Sequence, residues 1–326
     1  MKKQLLFSCL LAAFTIFYSN AQTTPPASPA DTTWRLGGFG SLQFSQVAFS
    51  NWVAGGESSV SLTAIASGFA QYKLDKNYWN SYGLLSYGAY RGQYDTKVRK
   101  NVDLIDIGTR AGHELGHKFY LTGLINFKSQ FAPGYNYPNV DTVVSRFLAP
   151  GYLLISPGIE WKPVDYFSLF LSPATGKFTF VTDEEIADRG TYGNDPAVFD
   201  TLTGVIISHG KKTRSEFGAL FVAAFAKDIA KNVNLATKLT LFDNYTDKVK
   251  ENRGNMDVNW DLLLSMKVNN WLTASLYTSL IYDHDIFIPD LDKETGLPTG
   301  TGGPRTQFKE GLSIGLTYQF GEEERK

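Results

Sequence analysis

Along most of the chain apolar and polar residues change places every second position. The clearest stretch runs from Val258 to Val268: Val258, Trp260, Leu262, Leu264, Met266 and Val268 are apolar, while Asn259, Asp261, Ser265 and Lys267 between them are polar. A period of two puts one face of an extended strand in an apolar medium and the other in a polar one. The same alternation marks residues 60–72, 217–225, 272–282 and 308–320. In all it predicts twelve strands, near 35–49, 58–73, 79–92, 101–112, 118–131, 145–161, 166–181, 213–227, 233–244, 257–268, 271–283 and 307–320.

The connections alternate as regularly as the side chains. Those at 73–78, 112–118, 161–166, 227–233 and 268–271 are short. Those at 92–101, 132–145, 182–212, 243–256 and 283–306 are long and polar, and the first, at 50–57, is modest. An even number of strands, with tight turns at one rim and long loops at the other, is the layout of a transmembrane antiparallel β-barrel with periplasmic turns and extracellular loops. Closure is what hydrocarbon demands, because every backbone N–H and C=O must find a partner and a closed sheet has no edge. The barrel is expected over residues 34–320.

The ends of the chain fit export. Lys2 and Lys3, the apolar run from Leu5 to Phe17 and the small residues Ser19, Asn20 and Ala21 read as a secretory signal peptide over residues 1–21. A flexible Thr/Pro/Ser-rich arm follows at 22–33, and a charged tail closes the chain at 321–326. Cys9, the only cysteine, lies inside the expected signal, so the exported chain has no thiol chemistry. With 31 basic and 32 acidic residues the composition carries no nucleic-acid footprint. Aromatics at 14% and 30 glycines suit strands and turns.

One motif points elsewhere. His113-Glu114-Leu115-Gly116-His117 spells H-E-x-x-H, which on a helix places two histidines on one zinc and a glutamate beside the bound water. Here the strand-forming run Phe119 to Ile125 follows it, and glycines at 112 and 116 flank and interrupt it, each disfavouring a helix by about 1 kcal/mol. Tyr120 and Gly123 stand where an extended form of the motif would carry a glycine and a third histidine. The motif is therefore expected in a turn between strands, with no metal, no cofactor and no catalytic role. A second enzymatic reading, a lipase-like site at the outer rim, would draw on His209 or on Tyr282-Asp283-His284-Asp285, but such pairs more often belong to loop turns.

Five segments carry a family resemblance: Asn51-Trp52-Val53-Ala54-Gly55-Gly56-Glu57-Ser58-Ser59-Val60, Phe147-Leu148-Ala149-Pro150-Gly151-Tyr152, Leu171-Ser172-Pro173-Ala174-Thr175-Gly176-Lys177, Ile281-Tyr282-Asp283-His284-Asp285 and Gln307-Phe308-Lys309-Glu310. Together they resemble an uncharacterised family of Bacteroidetes outer-membrane proteins, a domain of unknown function numbered 3078. The resemblance implies a single outer-membrane barrel, surrounded by lipid and inserted by the barrel assembly machinery, and supplies no catalytic residues. The ending Leu316 to Phe320 looks like the aromatic terminus of such barrels, although six residues follow it.

If the more apolar face of each strand meets lipid, the other face lines a lumen. Asp106, Arg110, Lys128, Arg146, Glu160, Arg214, Glu216, Lys238, Asp261, Lys267 and Lys309 are the charged residues expected there, with Asn126, Gln130, Asn234 and Asn259. Seven of the eleven are basic and four acidic. This set would serve either as an internal ion-pair network filling a structural barrel or as the wall of a narrow, weakly anion-selective channel.

Overall fold

In the computed structural model the described residues are 34–48, 58–95, 97–137, 139–286, 288–291 and 298–321. The expected signal peptide and arm, the segment Asn51 to Glu57 and the tail beyond Gly321 lie outside them.

Twelve strands close into one barrel: β1 (Trp34–Val47), β2 (Ser59–Leu74), β3 (Asn77–Gly92), β4 (Arg99–Gly116), β5 (Phe119–Ser129), β6 (Gly151–Val164), β7 (Phe167–Phe180), β8 (Thr213–Ala230), β9 (Val233–Asn244), β10 (Met256–Lys267), β11 (Leu272–Tyr282) and β12 (Gln307–Gly321). Each pairs antiparallel with its neighbours in sequence, and β12 returns to β1 through Gly37↔Gly321 to Phe44↔Ile314. Four hairpins turn on two residues, at 75–76, 117–118, 165–166 and 231–232. Asp75, His117, Lys118 and Asn232 take positive φ there, the conformation that matches a tight turn to the twist of its strands.

The barrel is turned inside out relative to a water-soluble fold. Buried residues among those described are more often polar than apolar, sixteen against eleven, while Leu36, Leu42, Leu62, Ile107, Leu121, Ile125, Leu171 and Leu312 stand exposed on the outer wall. Near the short-turn rim an aromatic belt joins neighbouring strands: Trp34 packs on Tyr72 at 5.1 Å and on Trp79 at 6.0 Å, and Phe119 on Trp161 at 6.0 Å. Eight residues up β3 from Trp79 stands the exposed Tyr87, about 26 Å along the strand at roughly 3.3 Å per residue. With such strands tilted by about 40° this is roughly 20 Å of height, of the order of the apolar band, about 25 Å tall, that a bilayer requires between aromatic girdles. No helix among the described residues is long and apolar enough to cross a membrane.

Inner-wall glycines make room for rings. A Cβ at Gly112 would come within 2.3 Å of the Tyr78 ring, and one at Gly108 as close to the Tyr82 ring, so two tyrosines of β3 lie flat against the glycines of β4. The prolines mark irregularities. Pro157 falls within a register shift between Ile155 and Ile159 of β6, and the shift between Gly218 and Leu220 of β8 lies opposite Pro173. Pro150 precedes β6 instead of interrupting it.

Three boundaries differ from the sequence reading, the first being that β6 starts at Gly151 and not near 145. The connection after β3 spans only residues 93–98, because pairing resumes at Arg99. β4 runs on to Gly116, so His113 and Glu114 lie in a strand and only His117 reaches the turn. Extended backbone separates residues four apart by about 13 Å, beyond the span of a single zinc ion. His113 instead sits 2.8 Å from Asn77 Oδ1 on the adjoining strand.

At the other rim the loops build structure of their own. Helix α1 (Glu184–Arg189) is capped by Asp183, whose side chain accepts from the Ile186 N–H, and ends on Gly190 at φ 64. Ile186 and Ala187 pack with Ala149 and Val181 in a fully buried cluster. Tyr192 donates to the Val144 carbonyl at 2.8 Å, and Arg189 to that of Val143. The connections 130–150 and 181–212 thus form a single packed layer.

Candidate functional site: the charged inner wall

Strand parity and register place the charged residues. Taking the buried Glu160 as inward, cross-strand pairing puts Tyr120, Thr122, Asn126 and Lys128 on the same face, then Asp106 and Arg110, and on the other side Lys177, Glu216, Lys238, Asp261, Lys267 and Lys309. Arg214 shares the parity of Glu216. Arg146 does not stand on this wall. It bridges to Ala149 in the loop layer and pairs with Asp183 at 3.0 Å, because β6 begins only at Gly151.

Three layers follow from the short-turn rim upward. In the lowest, Glu160 is fully buried and accepts from the Tyr78 hydroxyl and from Arg110, with Lys162 Nζ at 3.0 Å. Lys162 also stands 3.5 Å from the centre of the Tyr78 ring, so that ring carries both a hydrogen bond and a cation. In the middle layer Asp106 accepts from Asn126 at 2.7 Å and Tyr82 at 3.1 Å, and lies 3.6 Å from Lys128. Lys238 enters this layer from β9; the charges acting on it are Lys128, Asp106 and Arg110 from β4 and β5, together with Asp261 on the adjoining strand. No carboxylate stands within ion-pair distance of Lys238 among the described residues.

The upper layer is the densest. Lys177 Nζ lies 2.9 Å from Asp257 and 3.6 Å from Glu216, and Arg214 pairs with Glu216 at 3.0 Å. Arg214 also donates to Asp285, in the connection after β11, and packs against Gly193, in the connection after β7. Two long loops therefore bend inward onto one guanidinium at the mouth.

Sequence reasoning missed Tyr78, Lys162, Lys177 and Asp257. Lys162 and Asp257 share the parity of Glu160 and Asp261, and extending the alternation by one step would have found them. Lys177 was hidden by the register shift near Pro173. Tyr78 was hidden because an aromatic residue near a turn reads as lipid-facing.

The outer loops hold the remaining histidines in separate places. His209 Nδ1 lies 2.9 Å from Asp188 Oδ2, and the Gly210 N–H donates to Asp188 Oδ1 at 2.6 Å. The Gly210 bond, then the His209 bond, hold the Asp188 carboxyl below its ordinary range; the Asp188 bond, then the Glu184 charge, push His209 up. Hydrogen bonds from Lys248 and Lys211 hold Asp195 down to about 2. His284 pairs with the Tyr282 hydroxyl at 3.1 Å.

The fold and its outward apolar band define a membrane-spanning barrel with a polar, charged interior. Residues 44–135 match a family model described as Protein of unknown function (DUF3078). No curated protein matches the chain. Among solved structures the chain is similar to an outer membrane channel from Pseudomonas putida F1, with 14% identity, a TM-score of 0.40, and coverage of 90% of this chain and 100% of that one. It is also similar to the translocator domain of the autotransporter NalP from Neisseria meningitidis (10% identity, TM-score 0.33, covering 97% and 95%) and to the NanC porin (8% identity, TM-score 0.36, covering 86% and 98%).

Proposed function

We propose that this protein is a narrow passive channel of the outer membrane of a Bacteroidetes bacterium, without catalytic activity, exported by residues 1–21, embedded in lipid and inserted by the barrel assembly machinery. The observation that carries the reading is Lys238. A barrel that used its interior charges only to fill space would pair them, yet this ammonium stands at mid-height facing Arg110 and Lys128 with Asp106 already held by Lys128, Asn126 and Tyr82. By cross-strand register the described inner wall carries ten cations (Arg35, Lys73, Arg110, Lys128, Lys162, Lys177, Arg214, Lys238, Lys267, Lys309) and seven carboxylates (Asp106, Glu114, Glu160, Glu216, Asp228, Asp257, Asp261), to which the loop adds Asp285 on Arg214. Fixed charges set the sign of a pore's selectivity, so the lumen favours small anions. The preference fades as salt screens the field over about 10 Å at 0.1 M.

Planar-bilayer recording of purified, refolded protein under a salt gradient tests this. Single channels with an anion-favouring reversal potential support it. Absence of conductance overturns it in favour of a structural barrel sealed by its own ion pairs, and a cation preference overturns the assignment of sign.

A further inference from the structure

The inner wall is apolar as well as charged, and its apolar side chains fall into two groups. Phe170, Leu220, Val222 and Phe242 pack together and are buried, so the arc from β7 to β9 holds a small core inside the barrel. Leu263 and Tyr277 do not join it. They are cross-strand partners on β10 and β11, share the inward parity of Asp261, and remain 38% and 37% exposed. An apolar side chain exposed on the outer wall meets lipid, but one exposed toward the lumen stands in water until a solute covers it.

Lys238 is the charged neighbour of this pair. Its direct partner on β10 is Asp261, and Leu263, the next inward residue of that strand, is its diagonal neighbour, within reach of a long side chain. Ala224, the partner of Lys238 on β8, and Ala236, the next inward residue of β9, are short and fill little of the space beside it. The carboxylates nearby are engaged elsewhere. The Tyr277 hydroxyl donates to Asp261 Oδ1 at 2.8 Å, and the Tyr82 hydroxyl to Asp106 Oδ1 at 3.1 Å, with Lys128 3.6 Å from Asp106. Arg110 pairs with Glu160. Tyr277 therefore holds Asp261 with its hydroxyl while its ring adjoins Leu263 in the register.

Small-molecule sites combine apolar surface with a few placed polar groups. An inorganic anion would use the ammonium and gain nothing from Leu263 or the Tyr277 ring. From this juxtaposition we propose that Lys238, Leu263 and Tyr277 form a binding site for small organic monocarboxylates, with the carboxylate on Lys238 Nζ and the alkyl or aryl body over Leu263 and Tyr277. A second carboxylate on the same solute would meet Asp261 and Asp106, which restricts the class to monoanions. The inference rests on the channel reading for the route by which the solute arrives, and deepens it by naming what is held at mid-height.

Hexanoate binding to the full-length barrel in lipid nanodiscs, measured by titration calorimetry against empty nanodiscs, tests this. Acetate supplies the head without the body, and 1-hexanol the body without the head. Hexanoate should bind at one site per barrel and at least about tenfold more tightly than either, a modest share of what burying four further carbons can give. Lys238→Met and Leu263→Ser should each weaken hexanoate at least about fivefold. The first should narrow its preference over 1-hexanol and the second its preference over acetate, a split that general loosening of the barrel would not produce. Asp261→Asn removes a charge that repels the ligand and should tighten binding. Hexanoate bound no better than acetate overturns the site, as does binding indifferent to Lys238→Met. Single-channel current in wild type without hexanoate binding overturns the site and leaves the channel standing. Binding with the predicted dependence on Lys238 and Leu263, but without current, overturns the channel and leaves the site standing.

Discussion

Lys162 Nζ lies 3.0 Å from Glu160 Oε2, two residues along the same strand, and the two project together into the barrel, where Glu160 has no exposed surface. Period-two alternation brings like faces together, so a carboxylate and its cation come from a single strand while Arg110 and Tyr78 complete the shell from two others. Removing the carboxylate leaves two cations facing each other. Glu160→Ala should therefore destabilise the barrel by about 3 kcal/mol, the range for breaking one partner of a buried ion pair. Urea unfolding in detergent micelles, followed by tryptophan fluorescence, measures it, and an unchanged midpoint would show that water in the lumen already solvates the pair.

Lys238 tests the middle layer. Lys238→Glu replaces an unpaired cation by an anion between Arg110 and Lys128, with Asp106 and Asp261 nearby. Selectivity should move toward cations with little loss of stability, because the new carboxylate gains two partners. The reversal potential under a salt gradient reads the change; no shift would place the narrowest point of the pore elsewhere.

The glycine positions separate packing from chain flexibility. Gly112→Ala drives a methyl group into the Tyr78 ring, whereas Gly123→Ala adds one on the outer wall with nothing within 4 Å. The first should cost about 1–3 kcal/mol as overpacking, and the second should be neutral or slightly favourable. Comparison of the two urea midpoints decides it.

The loop layer should respond to pH. His209 has a folded-state pKa raised above its unfolded value, so its contribution is complete below about 6.5 and is lost as pH rises through the folded value. Asp188 has a lowered value, so its contribution is present above about 4 and is lost as pH falls through the folded value. Loop 181–212 should be most ordered between those limits. A nitroxide at Leu202, exposed near the loop tip, should gain mobility on going from pH 5.5 to 8.5, and His209→Ala should remove the difference.

The H-E-x-x-H segment makes a sharp negative control. Glu114 lies in β4 and His117 turns the chain at φ 52, so Glu114→Gln should leave folding unchanged, and purified protein should hold no stoichiometric zinc. Metal analysis finding one tightly held zinc per chain would contradict this. At position 117 glycine should be tolerated, while valine should cost about 1–2 kcal/mol because a β-branched residue resists positive φ.

Much of this molecule is local and therefore legible in one dimension. Alternation from Val258 to Lys267 reports which side chains meet lipid without knowledge of any partner strand, and the lengths of the connections report which rim they occupy. Both follow from a single constraint, a bilayer that tolerates only closed hydrogen-bonding, and that constraint acts on every strand alike. Strand parity also groups most of the charged residues on one face of the sheet. What depended on the tertiary structure was everything set by pairing between strands. Pro157 and Pro173 shift the register and so conceal Lys177; the late start of β6 moves Arg146 from the wall to the loops; and pairing of β4 with β5 as far as Gly116 turns an apparent zinc motif into strand. The reach of Lys238 toward Arg110 and Lys128, and the halt of the β1–β12 ladder at Phe44, are relations across the lumen and across the seam. They join residues 110 or more positions apart, where no local pattern can specify a distance.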